Sequence, residues 1–114
     1  MSVVARQERR HRVFVVVDGS LEPGRQIAQA IHGQRQLAAD YPELERKWFE
    51  HSNYIVVLSA RDEDHLQEIA LSVRLKGMQL SVWCEPDLGG RMTAIAAFEP
   101  AARLLSKLPL AGAR

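Results

Sequence analysis

Polar residues suited to binding or catalysis follow the first apolar run of the sequence, Val13–Val17. Asp18 ends that run, and Arg25, Gln29 and His32 lie in the segment after it. Spacings of four and three residues place Arg25, Gln29 and His32 on one face of a helix. Ligands of open α/β sheets bind at the carboxyl ends of strands. We therefore expect a functional site where the first strand ends.

Each of these side chains has a chemical interpretation and a structural one. Asp18 can orient a cation or bind a substrate amine or hydroxyl, or it can close an Asx turn. Arg25, in a first helical turn, can hold a phosphate beside unpaired N–H groups, or it can be a solvated surface residue. Gln29 can bind a substrate carbonyl or face solvent. His32 titrates near neutrality, but on its own it is a packed or surface histidine.

A second group of polar residues follows the third apolar run. Glu85 and Asp87 share one loop, and paired carboxylates can act as acid or base, or they can simply cap the loop. Thr93 offers a hydroxyl just across that loop. Cys84 is a candidate nucleophile, but no paired histidine is evident, so a buried and inert thiol is the favoured interpretation.

Hydrophobic patterns and turn residues predict the elements that carry these groups. The first helix is expected to present Ile27, Ala28 and Ile31 on its apolar side. We predict strands over 12–17, 53–58, 80–84 and 92–98, and helices over about 23–41, 42–51, 63–76 and 100–108. The long helical crossover favours a parallel first pair of strands, and the short loop favours an antiparallel last pair. The predicted fold is α/β, a three-layer α/β/α arrangement with a four-stranded mixed sheet in the order βααβαββα.

Length and composition are those of a single globular domain. The 114 residues are 46% hydrophobic and 25% charged, with a net charge of +1. Four arginines lie in the first dozen residues, so we expect a flexible basic arm over 1–11 that attracts phosphates or merely solubilises the chain. The domain is predicted over 12–109, followed by a tail over 110–114.

Several classes of protein are not expected. Cys84 is the single cysteine, so neither an internal disulfide nor a multi-thiolate metal site can form. Apolar runs fall short of the roughly 20 residues of a membrane span. No apolar stretch precedes the basic cluster, so we expect no signal peptide. We expect a cytoplasmic protein with neither a metal site nor a membrane partner.

The residues after the first strand resemble the opening signature of the type II peptidyl-tRNA hydrolases. In that family an aspartate lies seven residues before a lysine that follows glycine, and then come alanine–glutamine and a histidine three residues on. Here Asp18, Gly24-Arg25, Ala28-Gln29 and His32 keep every spacing. The resemblance continues through PELERKW, YIVVL, KGM and TAIAAFEPA, over roughly residues 12–108. The EPDL and TAIA segments are similar to a bacterial, divergent branch of the superfamily.

This resemblance implies an esterase that cleaves the bond between a peptide, or an aminoacyl group, and the 3′ end of tRNA. It implies no cofactor, tRNA as the partner and the capacity to form a homodimer. Carried over by position, the catalytic residues are Arg25, Glu85 (or Asp87) and Thr93, and the substrate-binding residues are Asp18, Gln29, His32 and Arg91.

The sequence also departs from the family pattern. Arg25 stands where the family has lysine, and an arginine keeps the positive charge but cannot act as a base. The loop over 85–91 is shorter than its counterpart in the family. Two alternatives therefore stay open: a repurposed member that binds RNA or protein, and a hydrolase of a different small substrate.

Overall fold

Within residues 11–112, four strands and four helices follow one another in the predicted order βααβαββα. The computed structural model describes residues 11–112. The elements are β1 (Arg12–Asp18), α1 (Pro23–Asp40), α2 (Pro42–His51), β2 (Tyr54–Ala60), α3 (Glu63–Leu75), β3 (Ser81–Glu85), β4 (Arg91–Phe98) and α4 (Ala102–Leu105), with 3-10 turns at Pro86–Leu88 and Glu99–Ala101. The last helix is shorter than predicted, because its first turn is one of these 3-10 segments and the chain enters a turn after Leu105.

The sheet has the order β2-β1-β4-β3. β1 runs parallel to β2, whereas β4 runs antiparallel to both β1 and β3. This confirms the mixed sheet and both predicted strand pairings. Because β1, β2 and β3 share one direction, their carboxyl ends and the amino end of β4 lie at the same edge of the sheet.

Helices cover both faces of the sheet, as a three-layer fold requires. The apolar run Val13–Val17 is fully buried because β1 lies at the centre of the sheet. On one face, Leu37 of α1 and Trp48 of α2 belong to a core cluster with the odd-numbered valines of β1. On the other face, α3 and α4 pack against Phe14 and Val16. The stripe predicted for α3 is confirmed, since its four residues Leu66, Ile69, Ala70 and Val73 are all buried.

The apolar side predicted for α1 is wrong. Ile27 and Ile31 are 65% and 59% exposed, whereas the buried positions of the helix are Gln26, Gln29, Gly33 and Leu37. The helix thus turns two glutamines toward the sheet and two isoleucines toward solvent. A hydrophobic pattern gives the wrong side here, because buried glutamines are stable only where hydrogen-bond partners await them.

Gly33 sets how closely α1 approaches the sheet. A Cβ atom at this position would lie 3.0 Å from the Cβ of Ala94 and 3.3 Å from Cγ1 of Val15. Contacts this short have no room for a larger side chain. The helix therefore rests directly on β1 and β4, which brings Gln29, one turn earlier, within reach of the site edge.

The described residues include only part of the predicted arm and tail. Of the basic arm over 1–11, only His11 lies among the described residues, and 113–114 lie outside them as well. Leu110 forms an antiparallel bridge with Leu58, and the Ala111 N–H donates to the Val57 carbonyl at 3.0 Å. The segment after 109 thus continues the sheet beside β2. No helix in the described part of the chain is long and apolar enough to cross a membrane.

Candidate functional site

A chain of hydrogen bonds links α1, β3 and β4 at the predicted edge of the sheet. The Thr93 hydroxyl donates to Oε1 of Gln29 at 2.6 Å, and Nε2 of Gln29 donates to Oε1 of Glu85 at 3.0 Å. The Asp87 backbone N–H donates to the other oxygen of Glu85 at 3.1 Å. Thr93 is 0% exposed, Gln29 6% and Glu85 9%. A glutamine that is bonded at both ends has one allowed amide orientation, and it therefore fixes the carboxylate.

A β-bulge brings Thr93 into this chain of hydrogen bonds. Trp83 pairs with Ala94 and Cys84 pairs with Met92, so Thr93 is the extra residue of β4. Strict alternation would aim Thr93 to the face that carries Ile95, under α3. The bulge turns it to the opposite face instead, where it contacts Gln29 of α1. Bulges re-aim side chains in this way beside functional sites.

Glu85 is held in its ionised form. The Asp87 backbone N–H and then the Gln29 amide lower the pKa of its carboxyl below the ordinary value of 4.5, and they outweigh burial, which raises it. The Trp83 ring N–H and His32 also lower the pKa of Glu85, although the Trp83 N–H has no acceptor in full hydrogen-bond geometry. At neutral pH the site therefore presents a carboxylate with fixed orientation.

A second polar group surrounds Asp18, whose side chain is fully buried. Its Oδ1 accepts hydrogen bonds from the N–H and the hydroxyl of Ser20 at 2.9 and 2.6 Å, and its Oδ2 accepts one from Arg91. Arg91 Nε lies 3.9 Å from Oε1 of Glu63, an ion-pair distance too long for a hydrogen bond. Asp18 thus forms the predicted Asx turn and also binds the guanidinium of Arg91.

His32 lies on the solvent side of the first group. Its imidazole stacks on the Trp83 indole with ring centroids 4.6 Å apart and planes 16° apart. Nε2 of His32 lies 4.0 Å from Oε1 of Glu85, and 46% of the His32 side chain is exposed. The site thus has an aromatic wall beside its carboxylate.

Comparison with known proteins identifies the family of this chain. Residues 11–105 match the family model described as peptidyl-tRNA hydrolase PTH2. The chain belongs to this family. No curated protein matches the sequence. A protein of unknown function from Agrobacterium tumefaciens has a similar structure, with a TM-score of 0.64 and 11% identity over 89% of this chain and 97% of that chain. At that identity the similarity shows a shared fold.

In the structure of this PTH2 family member, the eight predicted site residues fall into two groups, with Arg25 apart from both. Gln29, His32, Glu85 and Thr93 form one group, and Asp18 and Arg91 form the second. Asp87 joins the first group only through its backbone, because its side chain is exposed and makes no contact with a polar partner in residues 11–112.

Arg25 stands apart from both groups. It is exposed in the first turn of α1, and its guanidinium has no hydrogen bond or ion pair within the described part of the chain. Helix N-termini favour anions, and Glu22 at the start of α1 makes no side-chain cap there. Arg25 is therefore a cation that a ligand can reach.

Two contributors to the site were missed at the sequence level, and one interpretation was wrong. Trp83 lies two residues before Glu85, and residues two apart in a strand share a face, which is the signal that could have found it. Glu63 accepts the Met92 backbone N–H at 2.9 Å, and nothing in its local sequence indicates this. Cys84 is exposed rather than buried, because β3 is an edge strand. Residues 11–112 hold no group of three His, Cys, Asp or Glu side chains suited to a metal ion.

Proposed function

We propose that the protein hydrolyses the ester bond between a peptide, or an aminoacyl group, and the 3′ end of tRNA. Membership of the PTH2 family supports this activity. The observation that carries the proposal is the ionised Glu85 carboxylate, fixed by Gln29 and Thr93 at the edge of the sheet. The departures at Arg25 and in the loop over 85–91 support a divergent branch of the family.

Glu85 orients the attacking water. Each carboxylate oxygen already accepts one protein hydrogen bond, which leaves a second lone pair on each for a water molecule. The water oxygen attacks the carbonyl carbon of the ester and gives up a proton. The bond between that carbon and the ribose oxygen breaks, and the ribose oxygen takes up the proton. A carboxyl with a lowered pKa is a weak base, so Glu85 contributes through position and charge more than through proton affinity.

Arg25 supplies the positive charge. Its exposed guanidinium can hold a phosphate of the tRNA end or the oxyanion that develops on the ester carbonyl. It cannot abstract a proton, in contrast to the lysine of the family pattern. Thr93 and Gln29 are positioning residues in this account, because Thr93 is fully buried and acts on Glu85 only through Gln29.

The proposal is tested by incubating the protein with an N-blocked aminoacyl-tRNA carrying a labelled amino acid and following the release of free tRNA. We expect multiple turnover, reduced about tenfold or more by Arg25→Ala, since loss of one charged transition-state contact costs that much. Arg74→Ala, which removes an exposed arginine from the last turn of α3, is the matched control. Turnover that is unaffected by Arg25→Ala would refute the role of that residue.

The same experiment decides the principal alternative, an RNA-binding module without hydrolase activity. The weak basicity of Glu85 and the arginine at position 25 favour this alternative. Folded protein that binds the tRNA but releases nothing would establish it. Folded protein that does neither would favour a different small substrate.

We further propose that the protein acts in the cytoplasm, where translation produces peptidyl-tRNA, and that it forms a homodimer. A groove of about 450 Å³ lies between α1, α2 and β2, lined by Ile31, Phe49 and Ile55 among others. Arg35 and Glu45 line it too, so the same face carries both charges and allows ion pairs across a two-fold, self-complementary interface. Ile31→Lys should convert a dimer to a monomer in sedimentation analysis, and a monomeric wild type would contradict this proposal.

A further inference from the structure

The stacked pair of His32 and Trp83 has a surface that the hydrolytic step does not use. Trp83 packs into the core under α1, and the His32 ring lies against it. Nearly half of the His32 side chain, 46%, is open to solvent. An aromatic ring that is packed on one face and exposed to solvent on the other can stack with a second aromatic ring.

The position of this pair relative to Glu85 indicates what the second ring is. His32 Nε2 lies 4.0 Å from the carboxylate that we assign to the attacking water. In the substrate, the ester oxygen belongs to the terminal ribose, and the same ribose carries the terminal base. A base stacked on His32 therefore has its ester one ribose away, next to Glu85.

We infer that His32, supported by Trp83, is the stacking platform for the 3′-terminal adenine of the tRNA. This inference rests on the proposed function, because it identifies the part of that substrate that His32 contacts. Proteins recognise unpaired RNA ends by stacking bases on histidine and other aromatic rings.

Arg25 provides the electrostatic part of such a site. It lies seven residues before His32 on the same face of α1, about 10 Å along the helix axis. Its guanidinium has no polar partner in residues 11–112. Sites for single-stranded nucleic acid combine stacking rings with cations that follow the backbone. Arg25 and His32, both exposed, thus give α1 a cation for a phosphate and an aromatic ring for the terminal base.

Two small esters test the inference: an N-acetylaminoacyl ester of adenosine and the same ester of a ribose that lacks the base. The wild type should prefer the adenosine ester by about tenfold in kcat/KM, the usual scale of one base–aromatic stack. His32→Ala should abolish the preference, and His32→Phe should restore it, because phenylalanine stacks but cannot carry charge. His51→Ala, at an exposed histidine that ends α2, should leave the preference intact.

Cleavage of both esters without preference by the wild type would overturn the inference and leave the proposed function standing. So would a preference that survives His32→Ala. If neither ester is cleaved, N-blocked aminoacyl-tRNA still decides the proposed function, and anisotropy of a labelled CCA trinucleotide decides the inference. Binding that is lost in His32→Ala and kept in His32→Phe supports it, whereas equal binding by wild type and His32→Ala overturns it.

Discussion

Thr93→Val removes a single hydroxyl and tests the hydrogen-bonded chain at its buried end. Valine keeps the volume and the β-branching of threonine, but Gln29 Oε1 loses the donor that lies 2.6 Å away. A buried acceptor without a partner costs about 1–3 kcal/mol of unfolding free energy. With a urea m-value of about 1–2 kcal/mol/M, the unfolding midpoint should fall by roughly 1 M.

The same substitution should reduce turnover. Without the Thr93 hydroxyl, the oxygen end of the Gln29 amide is no longer held, and the hydrogen bond from its nitrogen to Glu85 loses its fixed geometry. A hydrogen bond to a charged group is worth about 1.5–3 kcal/mol, so kcat for N-blocked aminoacyl-tRNA should fall about 10- to 100-fold.

Thr93→Ser is the matched control. It keeps the hydroxyl and loses one buried methyl, which costs about 1 kcal/mol. Both variants should therefore lose comparable stability in urea titrations, whereas the serine variant should keep kcat within about threefold of wild type. If the valine variant keeps full turnover, or the serine variant loses as much, Thr93 does not act through Gln29 and the reasoning fails.

Three further predictions concern stability and are measured by chemical denaturation. The lowered pKa of Glu85 means that its ionised form stabilises the fold above pH 4.5 and that this stabilisation is lost as the pH falls. The stability lost in Glu85→Gln should therefore be largest at pH 7 and shrink toward pH 3. A difference that stays constant with pH would contradict the pKa shift. Arg91→Met leaves the fully buried Asp18 without its cation and should cost about 3–5 kcal/mol; a cost below about 1 kcal/mol would show that the pair contributes little. Gly33→Val should lower the free energy of unfolding by at least about 1–3 kcal/mol, because the added atoms meet β1 and β4. Gly24→Ala, whose added Cβ meets nothing within 4 Å, should be neutral or slightly stabilising.

The fold was largely accessible from the sequence because its strands are continuous apolar runs. The run Val13–Val17 is typical of a buried central strand, and the crossover through α1 and α2 favoured the parallel pairing that β1 and β2 show. The side that α1 buries was not accessible. Gln26 and Gln29 are polar, and their burial depends on partners as far away in sequence as Glu85.

The sequence indicated which residues belong to the candidate site, but not which hydrogen bonds join them. Family spacing indicated Gln29, and position in the family pattern gave Glu85 (or Asp87) and Thr93. Strict strand alternation, however, would turn Thr93 away from Gln29. Only the bulge opposite Trp83 and Cys84 brings the two together. A bulge depends on the register between two strands, which local patterns do not specify. The choice between Glu85 and Asp87 likewise depended on which side chain meets the amide of Gln29.

That choice is also the most direct test of the central claim. Glu85→Gln and Asp87→Asn each remove one negative charge from the same loop, and only the first alters the carboxylate that Gln29 fixes. With labelled N-blocked aminoacyl-tRNA as substrate, we expect kcat to fall about 100-fold or more in Glu85→Gln and to stay within about threefold of wild type in Asp87→Asn. Full turnover in folded Glu85→Gln would contradict the account.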